Sequence, residues 1–345
     1  DVCSSDLVTQ YQAPENGIAR QGTVGERKSI YTLLAHIQQT GYPATAKVYN
    51  CDTGELETLQ GTIKNWFCGQ PLQGFSKATQ FGENHPMPAV PQPPPILHPI
   101  VVEGNSGEAI QKAIDTPGVD TVFLTNQHYQ VTQPIVIRGS VSRIIGMSAF
   151  FTRKSVDPIF RVDPGNTPAI FLERLEEAGI EQNSGRTVVI QKSALRSYQN
   201  TAKGQGDLFL NDIVADQMQF HHEKVYARGL NVEVLPPDDE PKILNVGGFL
   251  WILGLKTEKP GTILATRHQG TTEITGGLIY INQSIPFGQP QYINEDSNVS
   301  IATRSYSPSA TGYRTLVQEI HSGTVTDLAT PDRQSPNRIF PYLGS

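Results

Sequence analysis

Charge and sulfur are both scarce in this chain. Of 345 residues, 17% are Asp, Glu, Lys or Arg, and there are 3 cysteines and 3 methionines. No apolar run approaches the ~18 residues of a membrane span, so no membrane span is expected. The 27 basic residues form no patch and face 33 acidic ones, for a formal charge of −6. That balance argues against a nucleic-acid partner. A Gly-rich phosphate loop and a Gly-x-Ser-x-Gly elbow are both missing. His221 and His222 are adjacent, so on a strand they face opposite sides and do not readily share one metal. His268 has no partner at metal spacing. We expect no metal and no cofactor. Asp238-Asp239-Glu240 is an acidic loop between prolines, a candidate for calcium but more often merely solvated.

Glycine (31) and proline (25) are abundant. That composition suits many short strands and turns. Gly229-Leu230-Asn231-Val232-Glu233 recurs as Gly254-Leu255-Lys256-Thr257-Glu258 and again as Gly277-Leu278-Ile279-Tyr280-Ile281, at steps of 25 and 23 residues. A further step back lands on Gly206. A period in the low twenties over β-rich segments marks a solenoid whose coils stack on one another. The expected register places Gly229, Gly254 and Gly277 at one corner.

Residues 1–7 read as a translated sequencing-adapter artefact and are set aside. Without Asp1 and Asp6 the count is 31 acidic to 27 basic residues, or −4. The natural chain is then expected to extend further upstream. Residues 8–84 hold β-prone stretches and read as the last coils of a truncated upstream β-helix. Cys51 and Cys68 lie there, either as a disulfide between coils or as two thiols; a disulfide would indicate an oxidising compartment. Residues 85–99 carry seven prolines and read as an extended linker. Ser106–Asp115 is the clear helix: Ser106 can cap it, Glu108 sits in the first turn, and Ile110, Ala113 and Ile114 share a face. It suits a lid over the open end of a solenoid that fills residues 100–345. Thirteen strands follow at regular spacing, from Thr121–Leu124 to Tyr313–Ile320.

The helix, Thr121-Val122-Phe123-Leu124, Ile135–Gly139 and Arg143–Met147 resemble the entry segment of right-handed β-helices of the pectate-lyase superfamily. Lys224–Glu233 and Leu250–Glu258 resemble later coils of bacterial proteins related to glycoside hydrolase family 55, exo-β-1,3-glucanases with two tandem β-helices. The resemblance implies an all-β fold, a right-handed single-stranded parallel β-helix, at the cell surface or secreted, with a polysaccharide as substrate or ligand and a missing N-terminal β-helix as partner. It places one family glutamate on Glu258. The family's general acid falls near Asn282, and an amide cannot protonate a leaving sugar oxygen. The sets expected of polygalacturonases and of calcium-dependent pectate lyases are not present.

Glu233 and Glu258 occupy equal places in successive coils. Stacked strands are ~4.8 Å apart, so the two carboxylates can share a face and act as the acid and base of a glycosidase. The plainer reading is a ladder of salt-bridged carboxylates. Trp251, outward, would stack on a sugar; inward, it is core. Tyr280 alternates with Ile279 and Ile281 and so points outward beside Asn282. Glu258 and Glu233 are thus the catalytic candidates, and Trp251, Tyr280 and Asn282 the substrate-binding ones. Three functions stay open: a glycoside hydrolase relative acting on a β-glucan-like polysaccharide, a non-catalytic polysaccharide-binding scaffold, and a tailspike-like adhesin.

Overall fold

The computed structural model describes residues 31–37, 46–49, 53, 55–59, 63–69, 88–152, 154–234, 240–306, 312–329 and 337–344. Residues 1–7 and Cys51 lie outside the described residues, so the adapter reading and the Cys51–Cys68 pairing do too.

From Pro99 the chain winds into a right-handed parallel β-helix of about 10 turns, nearly all β and 3% helical. Alternation fixes the register. Val122, Ile144, Leu172, Ile190, Leu210, Ala227, Ile252, Ile274 and Ile301 are successive register partners, all buried. Each large member contributes roughly 1.5–3 kcal/mol of apolar burial. A one-residue slip would turn the whole row outward, so the hydrophobic pattern specifies the stacking.

One corner of the coil is a column of left-handed residues. Arg174, Lys192, Asp212, Gly229, Gly254 and Gly276 stack there with φ of 55, 52, 58, 62, 80 and 75°. This corrects the expected register. Gly229 and Gly254 stack as expected, but Gly276 holds the next corner and Gly277 pairs with Leu255. Asp212, not Gly206, precedes Gly229. The coils differ in length at their other corners, so a constant step drifts. Three coils turn this corner without glycine, which hides it from a search for Gly. A second, buried column goes unseen in the sequence. Asn245, Thr266 and Asn294 are register partners inside the coil. Asn245 Nδ2 donates to Thr271 O (3.1 Å) and Thr272 Oγ1 (3.0 Å), tying a corner to the next coil.

Both ends are closed. At the first, Gly107–Ile114 is a helix whose Ser106 hydroxyl accepts from Ala109 N (3.3 Å), with Ile110, Ala113 and Ile114 buried. Gln111 holds Val136 by both its N–H and its carbonyl (2.7 and 3.1 Å), docking the helix on a coil strand. At the other end the direction reverses. Thr324–Ala329 pairs antiparallel with Thr315–His321, and Asn337–Gly344 antiparallel with Asn298–Tyr306. Tyr342 OH donates to Glu319 Oε1 (2.6 Å) and accepts from Asn294 Nδ2 (2.8 Å), anchoring the reversed strand.

Ahead of the solenoid, Tyr31–Ile37 pairs antiparallel with Ile63–Gly69, and Ala46–Tyr49 with Leu56–Leu59. That pairing is antiparallel, whereas successive β-helix coils pair in parallel. Most of 8–84 lies outside the described residues, so an upstream β-helix stays an expectation. The last residues of the proline-rich stretch join the solenoid. Pro99–Val101 already pairs in parallel with Thr121–Phe123 as the first strand, and Leu97 N and His98 N donate to Asp120 Oδ2 (3.1 and 2.7 Å). Upstream, Val90 packs on Phe171, Val189 and Phe209, a small apolar cluster separate from the coil interior. Those residues alternate with the inward row, so the cluster lies on the outer face. Pro91 and Pro93-Pro94-Pro95 keep the chain between Val90 and the first strand extended.

Candidate functional site

The strand Phe249–Glu258 turns at Gly254 and so contributes to two faces. Beyond the corner, Leu255 and Thr257 point inward and are buried, while Lys256 and Glu258 point outward. The neighbouring coils follow the same parity. Asn231 pairs with Lys256, and Glu258 with Tyr280, which pairs with Tyr306. Glu233, two residues past Asn231, therefore stacks on Glu258. Ala215 pairs with Val232, which sets Asp216 before Glu233. One outward column thus reads Asp216, Glu233, Glu258, Tyr280, Tyr306, one residue per coil.

The two glutamates meet, but not as a free pair. Lys256 Nζ donates to Glu233 Oε1 and to Glu258 Oε1, the latter at 2.9 Å. Asn231 Nδ2 donates to Glu233 Oε1 (2.8 Å), and Asn282 Nδ2 to Glu258 Oε2 (2.9 Å). Partial burial opposes ionisation of Glu233, but the hydrogen bonds from Lys256 and Asn231 and the charges of Lys256 and Lys259 outweigh it. Its carboxyl is held below the ordinary value. Burial likewise opposes the charge on Lys256, and its two carboxylate partners overcome this and raise its pKa. Beneath the site, Lys242 is fully buried. Its Nζ donates to Thr257 Oγ1 (2.9 Å) and to the carbonyls of Glu258 and Lys259 (3.3 Å for the latter). Burial, reinforced by Lys259, pushes that amine down to about 8 against the pull of Glu233 and Glu258. It holds the strand end that carries Glu258.

Of the expected residues, Glu233, Glu258, Asn282 and Tyr280 come together. Trp251 does not. It precedes the corner and lies on the other outward face, only 7% exposed, with the Arg228 guanidinium 5.8 Å from its ring centre. Its outward parity follows from its place between Leu250 and Ile252, but it is neither coil interior nor an open platform. Sequence reasoning missed Lys256, although its place two residues before Glu258 puts both on one face. It also missed Lys242, an isolated lysine with no local signal, and Tyr306, one coil after Tyr280. The rings of Tyr280 and Tyr306 stack at 5.8 Å between centres and 26° between planes. Among the described residues, no three His, Cys, Asp or Glu side chains gather as a metal site, and no helix is long and apolar enough to cross a membrane.

The class this geometry defines is a right-handed parallel β-helix with a polar and aromatic stripe on one outward face. Comparison with protein-family models, with curated proteins and with solved structures finds no match to this chain.

Proposed function

We propose that this chain is a polysaccharide-binding β-helix that holds its ligand without cleaving it. The observation that carries this reading is Lys256 placed between Glu233 and Glu258. A glycosidase needs one carboxyl kept protonated near neutral pH and another kept ionised. Here one ammonium bridges both, the Glu233 carboxyl is held below its ordinary value, and Asn282, where the resemblance sets the glucanase acid, is an amide already spent on Glu258. Planar hydrogen-bonding groups beside a stacked pair of tyrosines suit a sugar surface. The carboxylates and amide meet hydroxyl groups, and an aromatic face meets the C–H face of a ring. A surface or secreted location accords with such a ligand.

The test is a panel of soluble polysaccharides, containing β-1,3-glucan, mixed-linkage β-glucan, xylan and polygalacturonate. Retardation in affinity gels and release of reducing sugar are followed together. The expected outcome is retardation by a member of the panel, weakened at least tenfold in Tyr280→Ala, with no sugar released. Sugar release that Glu258→Gln abolishes with folding intact would restore the hydrolase reading. No retardation by any member would remove the carbohydrate reading altogether.

A further inference from the structure

The turn ahead of Ala169–Gln182 and the turn after it border an open cleft of about 420 Å³, on earlier coils than those of Glu233 and Glu258. Pro164, Asn166, Pro168 and Gly185 form its exposed rim, and Ser184 and Arg186 its buried floor. Arg186 is only 5% exposed. Its guanidinium reaches back across two coils. Nε donates to Thr167 O (2.9 Å), and Nη2 to Val141 O (2.8 Å) and to Thr167 Oγ1. Every one of these partners is a neutral oxygen. Nη1 is buried with no partner among the described residues. It lies against Gly165 in the cleft wall, where a Cβ would stand 2.8 Å from it. From the coil interior, Gln182 Nε2 donates to Ser184 O (3.0 Å) and Arg186 O (2.6 Å), fixing the turn that carries the arginine.

Arginine is rarely buried unless it is paired, and the carboxylates around this corner are committed elsewhere. Asp163, next to Pro164, accepts from Arg161 (3.0 Å) and Asn183 (2.8 Å). Asp115 accepts from Arg138 (2.8 Å), and Glu181 from Gln199 (3.1 Å). Asp207, on the next turn, acts on Glu223 and Tyr226, whose ionisation it opposes. Burial accordingly lowers the Arg186 pKa with no acid opposing the shift. Lys203, exposed on the stacked turn of the next coil, adds charge of the same sign.

We propose that this cleft binds a small organic oxyanion, a carboxylate or phosphate group on a compact apolar body, whose charge offsets that of Arg186. A water molecule satisfies a donor but not a charge. The guanidinium acts across the thin wall at Gly165, in a buried setting that screens it less than bulk water does. The Gly185 amide and the Asn166 side chain, which make no hydrogen bond among the described residues, supply donors at the mouth. The organic body follows from size and lining. The cleft is larger than a bare anion, and Pro164 and Pro168 give it apolar walls.

Calorimetric titration of the full chain with benzoate, phenyl phosphate and inorganic phosphate, at ionic strength held constant with NaCl, tests this. Wild type should bind benzoate or phenyl phosphate saturably, and whichever binds names the group. Gly185 has no left-handed φ, and a Cβ there meets nothing within 4 Å, so substitutions at it keep the fold, which circular dichroism verifies. Gly185→Asp places a carboxylate of the chain's own in the cleft and should weaken binding at least tenfold. Gly185→Asn, of the same shape without the charge, should stay within threefold of wild type. Equal losses in the two variants would overturn the charge argument. Inorganic phosphate bound as tightly as the organic probes would overturn the organic body. No saturable binding by wild type, or binding unchanged in Gly185→Asp, would overturn the site itself.

Discussion

The strand Phe249–Glu258 crosses two outward faces of the same coil, and its ends meet different surroundings. On the first face Trp251 lies in a column with Phe171, Val189, Phe209 and Tyr226. Phe209 and Tyr226 stack at 5.2 Å, and Val90 packs against the cluster of Phe171, Val189 and Phe209. On the second face Glu258 lies in a column of carboxylates and tyrosines with no apolar cluster on it among the described residues. Both faces point away from the coil interior, so side-chain alternation alone treats them alike. The difference lies in what covers them. Val90 and the neighbouring rings close part of one outward face into a small apolar cluster, whereas the other keeps half-buried polar groups at coil spacing. An outward aromatic in a solenoid is thus a ligand platform only where no other part of the chain lies across it.

Truncation should show the largest contrast. Phe209→Ala removes a ring from the covered face and should cost about 3–5 kcal/mol, as in a true core. Tyr306→Ala, on the open face, forfeits the ring pair and should cost about 1 kcal/mol. Urea unfolding curves measure both, and equal costs would erase the distinction between the faces.

A pH series sharpens the contrast by separating the interior from the open face. Glu223 lies inside the coil, where burial pushes its carboxyl up to about 8 despite the hydrogen bond from Tyr198 OH (2.6 Å), with Asp207 adding to the rise. The folded state then binds more protons than the unfolded one between about 4.5 and 8, so stability falls as pH rises through that window. Glu223→Gln mimics the protonated form and should be more stable than wild type at pH 8.5, by roughly 4–5 kcal/mol, and within about 1 kcal/mol of it at pH 5. A constant difference across that range would refute the buried-acid account.

Lys256→Met probes the open face itself. The expected loss at pH 7 is about 1 kcal/mol, because the triad is partly solvated. The folded pKa of Glu233 is depressed, so its contribution is present above the unfolded value near 4.5 and lost as pH falls through the lower folded one. The difference between Lys256→Met and wild type should accordingly shrink in acid. Chemical denaturation at pH 7 and pH 3 reads it, and a gap that widens at pH 3 would contradict the ion triad.

Much of the fold was legible because alternation and periodicity are local. The helix capped by Ser106, the inward rows and the stacking of Gly229 on Gly254 all follow from residue pattern. What was hidden depends on partners far away in the chain. The shift from Gly277 to Gly276 at the corner reflects unequal loop lengths. Val90 joins the cluster of Phe171, Val189 and Phe209 from at least 81 residues away, and no local signal marks Trp251 as buried. In the site, Glu233, Glu258, Tyr280 and Asn282 were readable from coil equivalence. The role of Lys256 was not, since one lysine between two glutamates reads as a solvated face until the coils are stacked.

Hydrogen–deuterium exchange of the full chain, with and without a soluble neutral β-glucan, tests the central claim most directly, since it compares the two faces in one sample. The account predicts ligand-induced protection at Lys256–Glu258, Tyr280–Asn282 and Arg304–Tyr306, with unchanged exchange at Leu250–Ile252. Protection at Leu250–Ile252 without protection at Lys256–Glu258 would contradict it, placing the ligand on the face assigned here to the fold.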